Sequence, residues 1–169
     1  MQPTLDELLA QPRPSRDEIV NVDEPTRKWV LFELSGHRFG LPGEQVREIF
    51  SRAKVFSVPG CPPSMEGVIN VRGDIETVIR PHTLLNLSEV EPDRASSILI
   101  GRGAELSSGI RVDRVVDLVD LPESAIHPLP ATLPQEWRPL ATGVLAHDER
   151  VVTLLDLAEL LKAYARGMG

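Results

Sequence analysis

The stretch Gly67-Val68-Ile69-Asn70-Val71-Arg72-Gly73-Asp74-Ile75-Glu76-Thr77-Val78-Ile79 decides the fold class. Two runs rich in Val and Ile flank Arg72-Gly73-Asp74. Gly73 accepts the positive φ of a tight turn at little cost, so the stretch reads as a β-hairpin. The same pattern extends in both directions. Upstream, Trp29-Val30-Leu31-Phe32-Glu33-Leu34 is a mostly apolar run that suits a buried strand. It turns at Ser35-Gly36-His37 and returns through Arg38 to Pro42. Downstream, Ser97-Ile98-Leu99-Ile100 is a strand closed by Gly101 and Gly103. Gly109 to Val115 alternates apolar and polar residues like a half-buried strand, and Val116 to Leu121 continues it past a bend. Thr142 to Ala146, the turn His147-Asp148-Glu149-Arg150 and Val151 to Leu155 form the last hairpin.

Helix is the minor component. Gly43-Glu44 opens a stretch in which Val46, Ile49 and Phe50 stand at helical spacing. Asp156 can cap a closing helix from Leu157 to about Ala165, with Leu157, Leu160, Leu161 and Tyr164 on one face. Pro59, Pro62 and Pro63 hold an irregular loop. Pro122, Pro128, Pro130, Pro134 and Pro139 exclude a central strand between Leu121 and Leu140. Short strands separated by turns predict a mainly β barrel or sandwich. There is no clean tandem repeat, but the gap from Pro81 to Ser96 separates two groups of strands and allows two lobes.

Residues 1–28 differ from the rest. Four prolines interrupt a charged stretch poor in apolar residues, which predicts a flexible tail. Thr4-Leu5-Asp6-Glu7 carries a capping-box pattern with Leu5, Leu8 and Leu9 on one face, so a frayed turn and a short docking peptide are both open there. Residues 29–165 form the folded part, and 166–169 a short tail.

Composition limits the chemistry. The 169 residues include 41% hydrophobic ones and carry a net charge of −7, which argues against non-specific nucleic-acid binding. No apolar run reaches the roughly 18 residues that span a bilayer. The N-terminus lacks a basic start and a long apolar run, so the expectation is a cytoplasmic protein. Cys61 is the one cysteine, which excludes an internal disulfide and a Cys/His zinc cluster. No phosphate loop or nucleophile elbow occurs. His37 and His147 fall in turns and read as solvated. Asp113, Asp117 and Asp120 read as a solvated β surface, and no base accompanies Cys61. No catalytic residue, metal or cofactor is expected. Arg72 is the exception to these plain readings: at a strand end beside Gly73 it projects a guanidinium from a rigid hairpin, which suits an interface anchor.

The order of the motifs is more specific than any one of them. Phe32 to Pro42, Val46-Arg47-Glu48-Ile49, Val58 to Pro63, Glu66 to Gly73, Gly109 to Val115, and Gly143-Val144 through Leu155-Asp156 together resemble the CheW-like domain of bacterial chemotaxis coupling proteins. The resemblance covers roughly Trp29 to Ala165. It implies two packed five-stranded SH3-like barrels with a closing C-terminal helix, no catalysis, and a scaffold that couples methyl-accepting chemoreceptors to a CheA-type histidine kinase. It implies that Asn70, Val71 and Arg72, with Val112 on a second-lobe strand, face the receptor tip. It implies that Val46, Glu48, Ile49 and Gly67 on the first lobe face the kinase regulatory domain. The sequence departs from the family at Arg80-Pro81-His82, where the family usually runs Asp-Leu-Arg. That departure leaves two alternatives open: a receptor-binding protein with weakened or absent kinase binding, or an adaptor for a specialised, non-flagellar chemosensory pathway.

Overall fold

The computed structural model describes residues 24–167. Among these residues, ten strands form two five-stranded sheets. In chain order they are β1 (Thr26–Leu34), β2 (His37–Pro42), β3 (Val46–Phe50), β4 (Met65–Val71), β5 (Asp74–Ile79), β6 (Ser97–Gly103), β7 (Leu106–Val112), β8 (Arg114–Pro122), β9 (Ala141–His147) and β10 (Arg150–Leu155). A one-turn helix α1 (Pro81–Leu84) follows β5, and the closing helix α2 (Leu157–Gly167) follows β10. One sheet has the order β8-β1-β2-β10-β9 and draws on both ends of the chain. The other, β3-β6-β7-β5-β4, draws on its middle. They are called here the terminal and the central lobe.

The two sheets are built alike. Each has an outer strand, a hairpin, a parallel junction (β2 on β10, or β7 on β5) and a second hairpin. In chain order, β1–β5 with α1 and β6–β10 with α2 are two copies of one unit. The first hairpin of each copy sits in the other copy's sheet. The registers agree in detail: Gly40 lies opposite Leu31 and Leu154, as Gly109 lies opposite Ile100 and Val78. The isolated bridges Phe56–Val68 and His127–Val144 fall at matching places. The lobes therefore do not divide at the Pro81–Ser96 gap, and a repeat is present where the sequence suggests none. Its copies share strand pattern and turn position rather than residue identity.

All four hairpins close through two residues with positive φ: Ser35-Gly36, Arg72-Gly73, Ala104-Glu105 and Asp148-Glu149. This geometry matches the right-handed twist of the flanking strands.

Side chains alternate between faces along each strand. From β1, Trp29 and Leu31 enter the terminal-lobe core with Leu145, Val152 and Leu154. Val30, Phe32 and Leu34 enter a larger core between the lobes, where they meet Leu99, Ile110 and Val112 of the central lobe and Leu160, Leu161 and Tyr164 of α2. Ile69, Val78, Ile98 and Ile100 form the central-lobe core. β1 and β6 are thus apolar on both faces because each face has its own core.

Several expectations need correcting. Gly43–Gln45 is a single 3-10 turn, and Val46–Phe50 is a strand. Val46, Glu48 and Phe50 point half inward while Arg47 and Ile49 point out, so the apparent helical spacing arises within an edge strand paired to β6. The run Gly109–Leu121 is two strands in different sheets, broken at Asp113. Arg111 is buried along with its apolar neighbours because an acid meets it inside. β1 starts at Thr26, not Trp29: Thr26, Arg27 and Lys28 pair with Pro122, Leu121 and Asp120. α2 runs on to Gly167. The capping-box segment with Leu5, Leu8 and Leu9 lies outside the described residues.

Candidate functional site

The β4–β5 hairpin and the edge strand β3 carry most of the residues expected to bind partners. Arg72 occupies the first left-handed turn position (φ 54°), its side chain 79% exposed. Its Nη1 stands 3.1 Å from Oε1 of Glu48 on β3, a carboxylate with only 24% of its side chain exposed. Asn70 turns its Oδ1 back to accept the Gly73 N–H at 2.7 Å, so it stabilises the turn that presents Arg72. Val71 is half-buried against the central-lobe core. Ile49, one residue beyond Glu48, is 39% exposed. The residues expected to face two different partners thus meet at one ion pair.

Two of the expected contact residues belong elsewhere. Val112 is fully buried between the lobes and lies in the same lobe as Arg72, so it is a core residue. Gly67 is buried too: a Cβ there would stand 2.2 Å from the Phe56 carbonyl oxygen, so this glycine admits the Phe56 backbone rather than a partner. Val46 is half-buried against the inter-lobe core and offers a partner only its rim.

The departure at Arg80-Pro81-His82 is accounted for internally. The strand ends at Ile79, and Pro81 occupies the first turn of α1, where a missing N–H costs nothing. Arg80 is 22% exposed and lies 3.4 Å from both Glu66 and Glu89. Glu66 also receives a bidentate pair from buried Arg111, at 2.8 and 2.7 Å. His82 is buried, its Nε2 2.9 Å from Oδ1 of Asp113, whose Oδ2 accepts the Ser35 N–H at 2.6 Å. Asp113 is therefore no solvated surface acid: it joins the β1–β2 turn of the terminal lobe to α1 beside the central lobe.

The second unit of the repeat places another acid–base pair at the corresponding edge, although the turn position of Arg72 is held there by Asp148 and the base stands one residue earlier. Asp117 lies opposite Leu31 as Glu48 lies opposite Ile100, so the two acids hold equivalent positions on β8 and β3. Leu118, 54% exposed, stands where Ile49 does. The base here is His147, its Nε2 3.1 Å from Asp117 and its side chain 16% exposed, so it is not a solvated turn histidine. The two edges differ in charge. Arg47, Arg52 and Lys54 are exposed on and just after β3, beside Arg72. Asp117, Asp120, Asp148 and Glu149 are exposed along β8 and the β9–β10 turn. Recognition of the repeat is the signal that would have led from Glu48 to Asp117.

Glu33 joins this terminal-lobe surface. Burial pushes its carboxyl pKa up, but hydrogen bonds and charges from Arg114 and Arg150 outweigh burial and hold it below the ordinary glutamate value. Burial pushes the Tyr164 phenol up. Cys61 donates to the Met65 carbonyl at 3.4 Å. Among the described residues, no group of three or more His, Cys, Asp or Glu is arranged to hold a metal ion, and no helix is long and apolar enough to cross a membrane.

The sequence profile of the CheW-like domain matches residues 28–165. The chain belongs to the CheW-like domain family. It is 27% identical over 142 residues to a probable chemotaxis protein CheW of Rhizobium etli, covering 84% of this chain and 92% of that protein. It is 28% identical over 134 residues to the chemotaxis protein CheW of Bacillus subtilis, covering 79% and 86%. The crystal structure of the scaffolding protein TtCheW from Thermoanaerobacter tengcongensis superposes with a TM-score of 0.70 at 26% identity, over 80% of this chain and 92% of that one. The two five-stranded sheets and the closing helix are thus the CheW-like fold, and the Arg72 hairpin and the β3 edge are surfaces of a CheW-like domain.

Proposed function

We propose that this chain is a non-enzymatic adaptor that couples the cytoplasmic tip of methyl-accepting chemoreceptors to a CheA-type histidine kinase in a chemosensory array. It would act in the cytoplasm and without a cofactor. The observation that carries the reading is the exposed Arg72 at the tip of a rigid hairpin, paired to Glu48 on an edge strand of a CheW-like domain. Arg72 is assigned to the receptor, and Glu48 and Ile49, with the rim of Val46, to the kinase regulatory domain. The ion pair joins the two assignments, because a receptor carboxylate that takes Arg72 also frees Glu48. The basic β3 edge suits an acidic partner surface and the acidic β8 edge a basic one, so both associations weaken as salt rises.

Titration calorimetry against a receptor tip and a kinase regulatory domain, each alone, tests the proposal. Arg72→Ala is expected to weaken receptor binding by about 2 kcal/mol, roughly 30-fold, with an unchanged melting curve because the side chain is exposed. Unchanged receptor affinity with normal melting removes Arg72 from the receptor site. Failure of the native chain to bind either partner overturns the adaptor reading.

A further inference from the structure

Next to the β3 edge lies a cleft that shares only Arg52 with the surface assigned to the partners. β3 and β6 pair antiparallel, Phe50 opposite Ile98, so the residues after β3 and those before β6 emerge side by side. Between them opens a cleft of about 620 Å³, lined by Ser51, Arg52, Asp93, Arg94, Ser96 and Arg111 among others. That volume falls in the range of small-molecule sites, roughly 300–1,000 Å³.

The charge in this cleft is unusual for a chain of net −7. Three guanidiniums line it against one carboxylate. That carboxylate, Asp93, is turned toward its own loop, its Oδ1 accepting the Ala95 N–H at 2.8 Å. The side chains of Arg52 and Arg94 are exposed and make no hydrogen bond or ion pair among the described residues. Arg111 is 8% exposed and held rigidly. Its Nε and Nη2 donate to Glu66, and its Nη1 donates to the Ser96 hydroxyl at 3.3 Å. A guanidinium carries five N–H groups, so two remain without a partner, one on each terminal nitrogen. A buried guanidinium with two N–H groups to spare, flanked by two free cations and the Ser51 hydroxyl, offers more donors and charge than the two oxygens of a carboxylate take up, and so suits a small tetrahedral dianion. Planar guanidinium forks meet phosphate oxygens two at a time.

We propose that this cleft binds a phosphate group, either free or as the phosphate of a small ester, with Arg111 as the fixed donor in the wall and Arg52 and Arg94 as the mobile jaws. Glu66 neutralises part of Arg111, so most of the attraction comes from the jaws, and binding is strongly salt-dependent. The site involves neither Arg72 nor Glu48, and Arg52 is the one residue it shares with the basic β3 edge.

The test uses the full chain at low ionic strength, titrated by calorimetry with inorganic phosphate, pyrophosphate and adenosine 5′-monophosphate, with chloride as the control anion. Saturable binding of at least one phosphate probe is expected, weakened tenfold or more in R52Q/R94Q. These exposed, unpaired arginines can be changed without loss of the fold, which an unchanged melting curve verifies. Tighter binding of the nucleotide than of inorganic phosphate identifies an ester as the ligand, and the reverse order identifies the free ion. No saturable binding of any probe up to about 10 mM, a range that would detect even weak affinity, overturns the proposal. So does binding that R52Q/R94Q leaves unchanged, or that chloride displaces as well as phosphate does.

Discussion

Arg72 and Arg80 show how the same residue type takes opposite roles eight positions apart. Arg72 stands on a turn where solvent screens its single partner, so its energetic weight is available to a binding partner. Arg80 is enclosed by Glu66 and Glu89, so its weight goes into the fold. Changing Arg80-Pro81 to the family's usual Asp-Leu is therefore expected to destabilise the chain by on the order of 2 kcal/mol, because a third carboxylate then faces Glu66 and Glu89. Chemical denaturation measures that loss. A kinase affinity that rises while stability holds would return Arg80 to the interface. Glu33 carries a pH dependence of definite sign. Its folded pKa lies below the unfolded value, so its contribution is complete above the ordinary glutamate pKa of 4.5 and fades as pH falls through the folded value. The melting-temperature gap between the native chain and Glu33→Gln is expected to be larger at pH 7 than at pH 3. An equal gap at both pH values would mean that Arg114 and Arg150 do not hold the carboxylate.

Among the elements, the four hairpins are not equally well built. Two turns place Gly at their second left-handed position, whereas Ala104-Glu105 and Asp148-Glu149 hold side chains there. A non-glycine residue in that region costs roughly 1 kcal/mol. Glu105→Gly is expected to stabilise the chain by up to about 1 kcal/mol, since Glu105 is exposed and makes no ion pair among the described residues. Thermal unfolding checks it, and a destabilised variant would mean that the turn carries no strain. Three of the four hairpins were legible in the sequence because each is a local object: two apolar runs and a turn, all within about fifteen residues. β3 was not legible. Val46, Ile49 and Phe50 fit a helical period and a strand equally well over five residues, and pairing with β6, some fifty residues on, decided between them.

For the whole molecule, the two units exchange their first hairpins, so neither lobe is complete without strands from both units. The central core between the lobes then joins everything through α2. The start of β1 illustrates the consequence. Arg27 pairs with Glu44 and lies over the Trp29 ring at 5.0 Å, while Thr26 to Lys28 extend the ladder to β8. A chain beginning at Trp29 is expected to melt several degrees below one beginning at Glu24, since about 1 kcal/mol moves the melting temperature by about 2–4 °C at this size. Equal melting temperatures would put the fold's edge at Trp29.

By itself the sequence determined the β-rich class, three of the four hairpins, the closing helix, the family and the prominence of Arg72, because propensity, turn chemistry and motif order act over short spans. Only the tertiary structure decided which hairpin enters which sheet. Only the tertiary structure withdrew Val112 and Gly67 into the interior, paired Arg72 with Glu48, and enclosed Arg80, Arg111 and His82 with acids. Those outcomes depend on contacts between strands far apart in the chain, where a partner's burial and charge, not the residue's own type, set what it does.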